Sequence, residues 1–118
     1  MAGLDLKDVD YVELHDAFHI TAYTIMEDMG FAPKGTAPKL YKEGKFQKGD
    51  RPEMNFSGGL KARGHPVGAT GVYQAAEAVM QIRGDFPGYK ASSPETALIH
   101  NMGGISTITA VGVFKRFK

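Results

Sequence analysis

Residues 55–71, NFSGGLKARGHPVGATG, hold one histidine among five glycines directly ahead of an amphipathic helical pattern. No other stretch restricts the fold as much. Glycine reaches positive φ and close backbone approach without a Cβ clash, so Gly58, Gly59, Gly64, Gly68 and Gly71 mark a tightly turned loop. Pro66 fixes the backbone next to His65. Ordering such a loop costs about 1–2 kcal/mol of backbone entropy per residue, which points to a histidine with a function. A tight turn carrying an incidental surface histidine fits the same residues.

The flanking elements follow from periodicity. Residues 8–15, DVDYVELH, read as a short strand with Val12 and Leu14 on one face. From Asp16 the period becomes helical: Phe18, Ala22, Ile25, Met26 and Met29 share a stripe, with Asp16 as N-cap and Gly30 as the C′ residue. His15 then lies at a strand's C-terminal end, where α/β folds build ligand sites. Between Ala32 and Glu53, Lys34, Lys39, Lys42, Lys45, Lys48 and Arg51 outnumber Glu43, Asp50 and Glu53, and no helical stripe runs through. This segment is expected to be an exposed loop excursion, either plainly solvated or a basic rim that attracts phosphates. A second helix has Val72, Ala75, Ala76, Val79 and Met80 on its apolar stripe, ends at Arg83 and Gly84, and is expected to be largely buried. Thr96 to His100 reads as a buried strand, Gly103-Gly104 as a turn, and Ser106 to Lys115 as a last strand with Ile108, Ala110 and Phe114 on one face.

A chain of 118 residues, 42% apolar and 23% charged, fits one globular domain spanning 1–118. No apolar run approaches the ~20 residues of a membrane span, and the first residues lack a charged and then apolar leader pattern. A formal net charge of +1 gives no field for nucleic acid. Neither a membrane nor a nucleic acid is therefore expected as partner, and a cytoplasmic location is. The chain has no cysteine, which excludes disulfides, thiolate metal sites and a cysteine nucleophile of its own. No metal site is expected.

Three motifs occur in order: His15-Asp16-Ala17-Phe18, Gly64-His65-Pro66 within its glycine frame, and His100-Asn101-Met102-Gly103-Gly104. Together they resemble the HDxF, GHP and HNxG motifs of thiolases, the enzymes that make or cleave 3-ketoacyl-CoA thioesters. The likeness is to the C-terminal half of sterol-carrier-type and archaeal-type members, and it runs from about Leu4 to Lys115. The resemblance implies an α/β fold: half of the thiolase fold, a mixed β-sheet covered by helices in layers.

It also implies roles. His65 would polarise a nucleophilic cysteine and donate to the thioester oxygen. His15 would serve the same oxyanion hole, with a histidine capping the strand end as the plainer reading. The Gly103 N–H would help form a second oxyanion hole. Asn101 stands where the usual acid/base cysteine would be, and Ala17 where some HDxF enzymes place another. His100 is a possible acid/base, although alternation on a strand points it away from Asn101. Phe18, Ser57, Gly58 and Gly59 are candidates for contact with substrate and coenzyme A, Phe18 being equally suited to the core. His19 has no counterpart in the family.

No covalent cofactor is implied; coenzyme A and acyl-CoA enter as substrate. The partners implied are an N-terminal half carrying the nucleophilic cysteine, further copies in a homo- or hetero-oligomer, and an acyl-CoA-channelling accessory protein as in archaeal-type thiolases. The alternative is a non-catalytic binding or scaffold subunit of an acyl-CoA complex.

Overall fold

The computed structural model describes residues 3–117. Its elements in chain order are β1 (Tyr11–Glu13), α1 (His19–Asp28), α2 (Ala37–Lys42), β2 (Glu53–Met54), α3 (Gly59–Arg63), α4 (Thr70–Arg83), β3 (Thr96–Gly103) and β4 (Ile108–Lys115), preceded by a 3-10 turn at Leu6–Asp8. The four strands form one mixed sheet in the order β2-β1-β3-β4, with β1 parallel to β2 and β3, and β3 antiparallel to β4. This is the layered α/β architecture expected from the sequence.

Strand alternation divides the core between the two faces. Val12, Leu14, Met54 and Leu98 pack with Ile25 and Met26 of α1. Tyr11 and Ala97 face the other way and pack with Ala78 and Ile82 of α4 and with Phe56. Both helices end as anticipated, since Gly30 (φ 88°) and Gly84 (φ 76°) take the left-handed conformation that closes a helix.

Three expectations need correction. Asp16 does not cap α1: its Oδ1 accepts the Leu60 N–H at 2.7 Å, and the helix starts at His19 after an extended Phe18 with no side-chain cap. The segment Ala32 to Glu53 is exposed over much of its length, but it contains α2 and places Ala32, Ala37 and Phe46 in the same core cluster as Ile25 and Met26 of α1. The third correction concerns α4. Its buried side is Thr70, Gln74, Glu77, Ala78, Gln81 and Ile82, whereas Val72 of the anticipated apolar stripe is 71% exposed. The inner face of α4 is polar because it binds the sheet and loops by hydrogen bonds. Gln74 Nε2 reaches the His100 and Glu13 carbonyls at 3.0 and 3.4 Å, and Gln81 bonds Tyr89 O and Ala91 N–H.

Candidate active site

The glycine loop is held from below by β1. The Asn55 Oδ1 accepts the Leu14 N–H at 2.7 Å, and the Tyr11 hydroxyl accepts the Phe56 N–H at 3.0 Å. Ser57 Oγ donates to Glu13 Oε2 at 2.8 Å. Gly59 lies so close to Asp16 that an added Cβ would meet its carboxylate at 2.4 Å, which explains a glycine there beyond its φ of 62°. The chain then crosses α3 and delivers His65 to the rim of the sheet.

His65 arrives at the C-terminal ends of the parallel strands. β1 and β3 align Glu13 with Ile99, so continuing that register by two residues sets His15 beside Asn101. His15 is buried, and its ring meets that of His65 edge to face with centroids 4.9 Å apart. A cleft of about 480 Å³ is lined by His15, His65, Thr70, Asn101, Gly103 and neighbours on the loop and hairpin. Each of the three sequence motifs thus supplies at least one residue to a single cavity. An added Cβ at Gly71 would sit 2.4 Å from Asn101 Nδ2, so this glycine is what lets α4 approach the strand end.

His65 Nδ1 lies 2.6 Å from Thr70 Oγ1, which is also 3.2 Å from Pro66 O. A hydroxyl has one proton to give, so this contact allows two tautomers. When the proton goes to Pro66 O, Thr70 accepts from Nδ1–H and the Nε2 lone pair is the basic atom; when it goes to Nδ1, the ring proton is on Nε2. Sequence reasoning missed Thr70, and its only signal is a hydroxyl five residues beyond the histidine.

The other ionisable groups differ. Burial holds the His15 imidazole below its ordinary value, the nearby His65 acts in the same direction, and the hydrogen bond with Asn101 opposes both. His15 Nδ1 is buried without a partner. Burial also lowers His100, whose Nδ1 is likewise unpartnered. His100 lines a separate cleft with Ile20, Thr24 and Ile25 of α1, on the opposite face from Asn101, so the structure does not bring this possible acid/base to the His15–His65 cavity.

The expected coenzyme A contacts also lie elsewhere. Ser57 is engaged with Glu13, Gly58 borders a different cleft with His19, Tyr41 and Lys61, Gly59 is buried, and Phe18 stands 67% exposed at the start of α1 instead of in the core. Among the described residues, no group of three or more His, Cys, Asp or Glu side chains is arranged to hold a metal ion, and no helix is long and apolar enough to cross a membrane.

Residues 1–116 match the family described as thiolase C-terminal domain-like. An acetyl-CoA acetyltransferase of Methanothermobacter thermautotrophicus is 45% identical over 117 residues, covering 98% of this chain and 30% of that protein. The benzoylsuccinyl-CoA thiolase subunit BbsB of Thauera aromatica is 38% identical over 87% of this chain and 27% of its own length. Sterol carrier protein 2 of Gallus gallus is 41% identical over 86% and 19% respectively. A solved structure described as an Ltp2-ChsH2(DUF35) aldolase aligns with TM-score 0.70 at 25% identity, covering 84% of this chain and 25% of that one. The chain therefore spans less than a third of each of these curated relatives.

Proposed function

The chain belongs to the thiolase C-terminal domain-like family, and from that premise we propose that it is the C-terminal half of an acyl-CoA C-acyltransferase whose nucleophilic cysteine comes from an N-terminal half. The observation that carries this reading is the convergence of His15 and His65 in one cleft beside Asn101 and Gly103. His65 Nε2 takes the proton of the partner's thiol, and the resulting thiolate attacks the 3-keto carbon of the substrate. The carbon–carbon bond then breaks, its electron pair passing to the departing thioester enolate, whose oxygen His15 and His65 stabilise as donors. The proton that His65 took from the thiol passes to that enolate carbon and releases the fragment as the first CoA thioester product. Coenzyme A then takes the acyl group from the cysteine, with the Gly103 N–H stabilising the tetrahedral oxyanion. Condensation is the reverse. This chain contributes the base and oxyanion donors and binds acyl-CoA; the acid/base cysteine is absent at Asn101 and Ala17.

The test uses the chain assembled with a cysteine-bearing thiolase N-terminal half. Alone, the chain is expected to transfer no acyl group. In the assembly, a nearby imidazole favours the thiolate, so iodoacetamide alkylation of the cysteine extends to lower pH. His65→Asn is expected to remove that extension and slow acylation by a factor of about 10² or more. An alkylation profile indifferent to His65→Asn would remove it as the base.

A second reading, carbon–carbon cleavage of the aldol type, is favoured by the missing cysteine and by the aldolase at TM-score 0.70. It needs a base and an oxyanion hole but no thiolate, so cleavage would survive alkylation. Acyl-CoA binding with neither activity would leave the non-catalytic scaffold reading.

A further inference from the structure

We propose that the Arg63–Glu77 ion pair is the clamp that positions His65. Arg63 is the last residue of α3 and stands two positions before the histidine. Its Nε donates to Glu77 Oε1 of α4 at 2.7 Å, while its Nη1 donates to the Gly64 carbonyl at 3.1 Å. One planar guanidinium thus ties the backbone immediately ahead of His65 to the middle of the long helix. Its other side lies 5.5 Å from the centre of the Tyr73 ring.

Two features set this pair apart from the other ion pairs among the described residues. Its side chains are only 15% and 10% exposed, whereas each of the others has at least one side chain more than half exposed. It is also incompletely satisfied: Arg63 Nη2 and Glu77 Oε2 are buried without partners. Desolvating two charges and leaving a polar atom of each unbonded is a poor source of stability, and apolar residues of similar volume generally do as well or better. The geometry accounts for the pair in another way. From Gly64 to Gly68 the loop is exposed, and on its far side the Pro66 carbonyl accepts the Ala69 and Thr70 N–H groups while the His65–Thr70 bond ties the ring to α4. On the α3 side the Gly64 N–H bonds Leu60 O at 3.0 Å, so what Arg63 adds is a hold on the Gly64 carbonyl, and with it the orientation of the peptide that leads into His65. Lysine at this position keeps the charge but has one nitrogen, which cannot reach Glu77 and the Gly64 carbonyl as the guanidinium fork does.

The role assigned to His65 rests on the thiolase reading, but the test does not. In the isolated chain, NMR reports through-space contact between the His15 and His65 rings and the nitrogen shifts that identify the tautomer of His65. The double variant Arg63→Met/Glu77→Leu is expected to unfold cooperatively at or above the wild-type temperature, to lose the His15–His65 contact, and to give the mixed nitrogen shifts of a free imidazole. Arg63→Lys is expected to fold and to lose the same contact. If either folded variant keeps the wild-type contact and shifts, the clamp is overturned and the pair is merely structural. Should the double variant fail to fold, Arg63→Lys alone decides. Failure of the alkylation test with these NMR signatures intact would instead count against the thiolase reading.

Discussion

Glu13 lies without solvent exposure beneath the glycine loop, and burial pushes its carboxyl from 4.5 up to about 7, against the hydrogen bonds from Tyr11 and Ser57 that favour its charged form. The native state therefore holds a proton there at pH values where the unfolded chain has lost it. The resulting stability is fully present below about 4.5 and is lost as pH rises through about 7, an interval worth on the order of 3 kcal/mol. His15 and His100 act in the opposite sense. Burial lowers both, so their contribution is present above 6.5 and lost as pH falls. The two trends overlap, and the useful measurement is a difference. Urea unfolding of Glu13→Gln and of the parent, from about pH 4.5 to about pH 8, should show the variant gaining relative stability as pH rises. A flat difference would mean that Glu13 titrates as an ordinary surface carboxylate and that the ring of bonds around Ser57 is not a desolvated one.

At the scale of elements, α4 presents two faces with different tasks. Gln74 joins the C-terminal ends of β1 and β3 through the Glu13 and His100 carbonyls, next to His15 and Asn101. Gln74→Leu removes both bonds and is expected to cost about 1–3 kcal/mol. Val72, two residues earlier, touches little, and Val72→Asp is expected to change stability by no more than about 0.5 kcal/mol. Chemical unfolding of the two variants measures both; equal losses would mean that the assignment of faces is wrong. The helix itself was legible from its period and its closing Gly84, but its orientation was not. Hydrophobic periodicity names the apolar side of a helix and says which side is interior only when the chain is the whole globule. Here Val72 and Ala76 of the expected stripe are exposed, Ala75, Val79 and Met80 are half-buried, and the interior side combines Ala78 and Ile82 with Gln74, Glu77 and Gln81, whose hydrogen-bond partners lie outside the helix. The strands fared better: β1, β3 and β4 lie where they were expected, although β3 runs on to Gly103 and the β1–β3 register that sets His15 beside Asn101 is written in neither strand. Thr70 and the Arg63–Glu77 pair escaped notice for the same reason as the helix face: a loop's hydrogen bonds are not periodic. The two-residue β2 is too short to carry a period and was absorbed into the segment expected to be loop.

For the whole molecule, the outward apolar surface is the feature that bears on assembly. Val67 is 90% exposed on the glycine loop, Val72 and Tyr73 add exposed apolar area on α4, and Val67 and Val72 line the His15–His65 cleft. Ile105, Ile108 and Val111 add a second exposed apolar group on the β3–β4 hairpin, where β4 forms the sheet edge. Apolar surface of this kind around a cleft marks an interaction site, and an unpaired edge strand invites another chain. The isolated chain is therefore expected to self-associate as its concentration rises. It is further expected to bind the N-terminal portion of a thiolase, such as the part of the Methanothermobacter thermautotrophicus acetyl-CoA acetyltransferase that this chain does not match. Sedimentation velocity of the chain alone, and of its mixture with that portion, separates the cases. Val72→Asp puts a charge in the middle of the surface, and because it leaves the polar inner face of α4 untouched it should weaken the mixed complex without unfolding the chain. A monodisperse monomer at every concentration, indifferent to the added portion, would refute the assembly outright. A complex that forms equally well with Val72→Asp would locate it on the β4 edge instead of the α4 surface, and His65 would then have to meet its cysteine across a different contact.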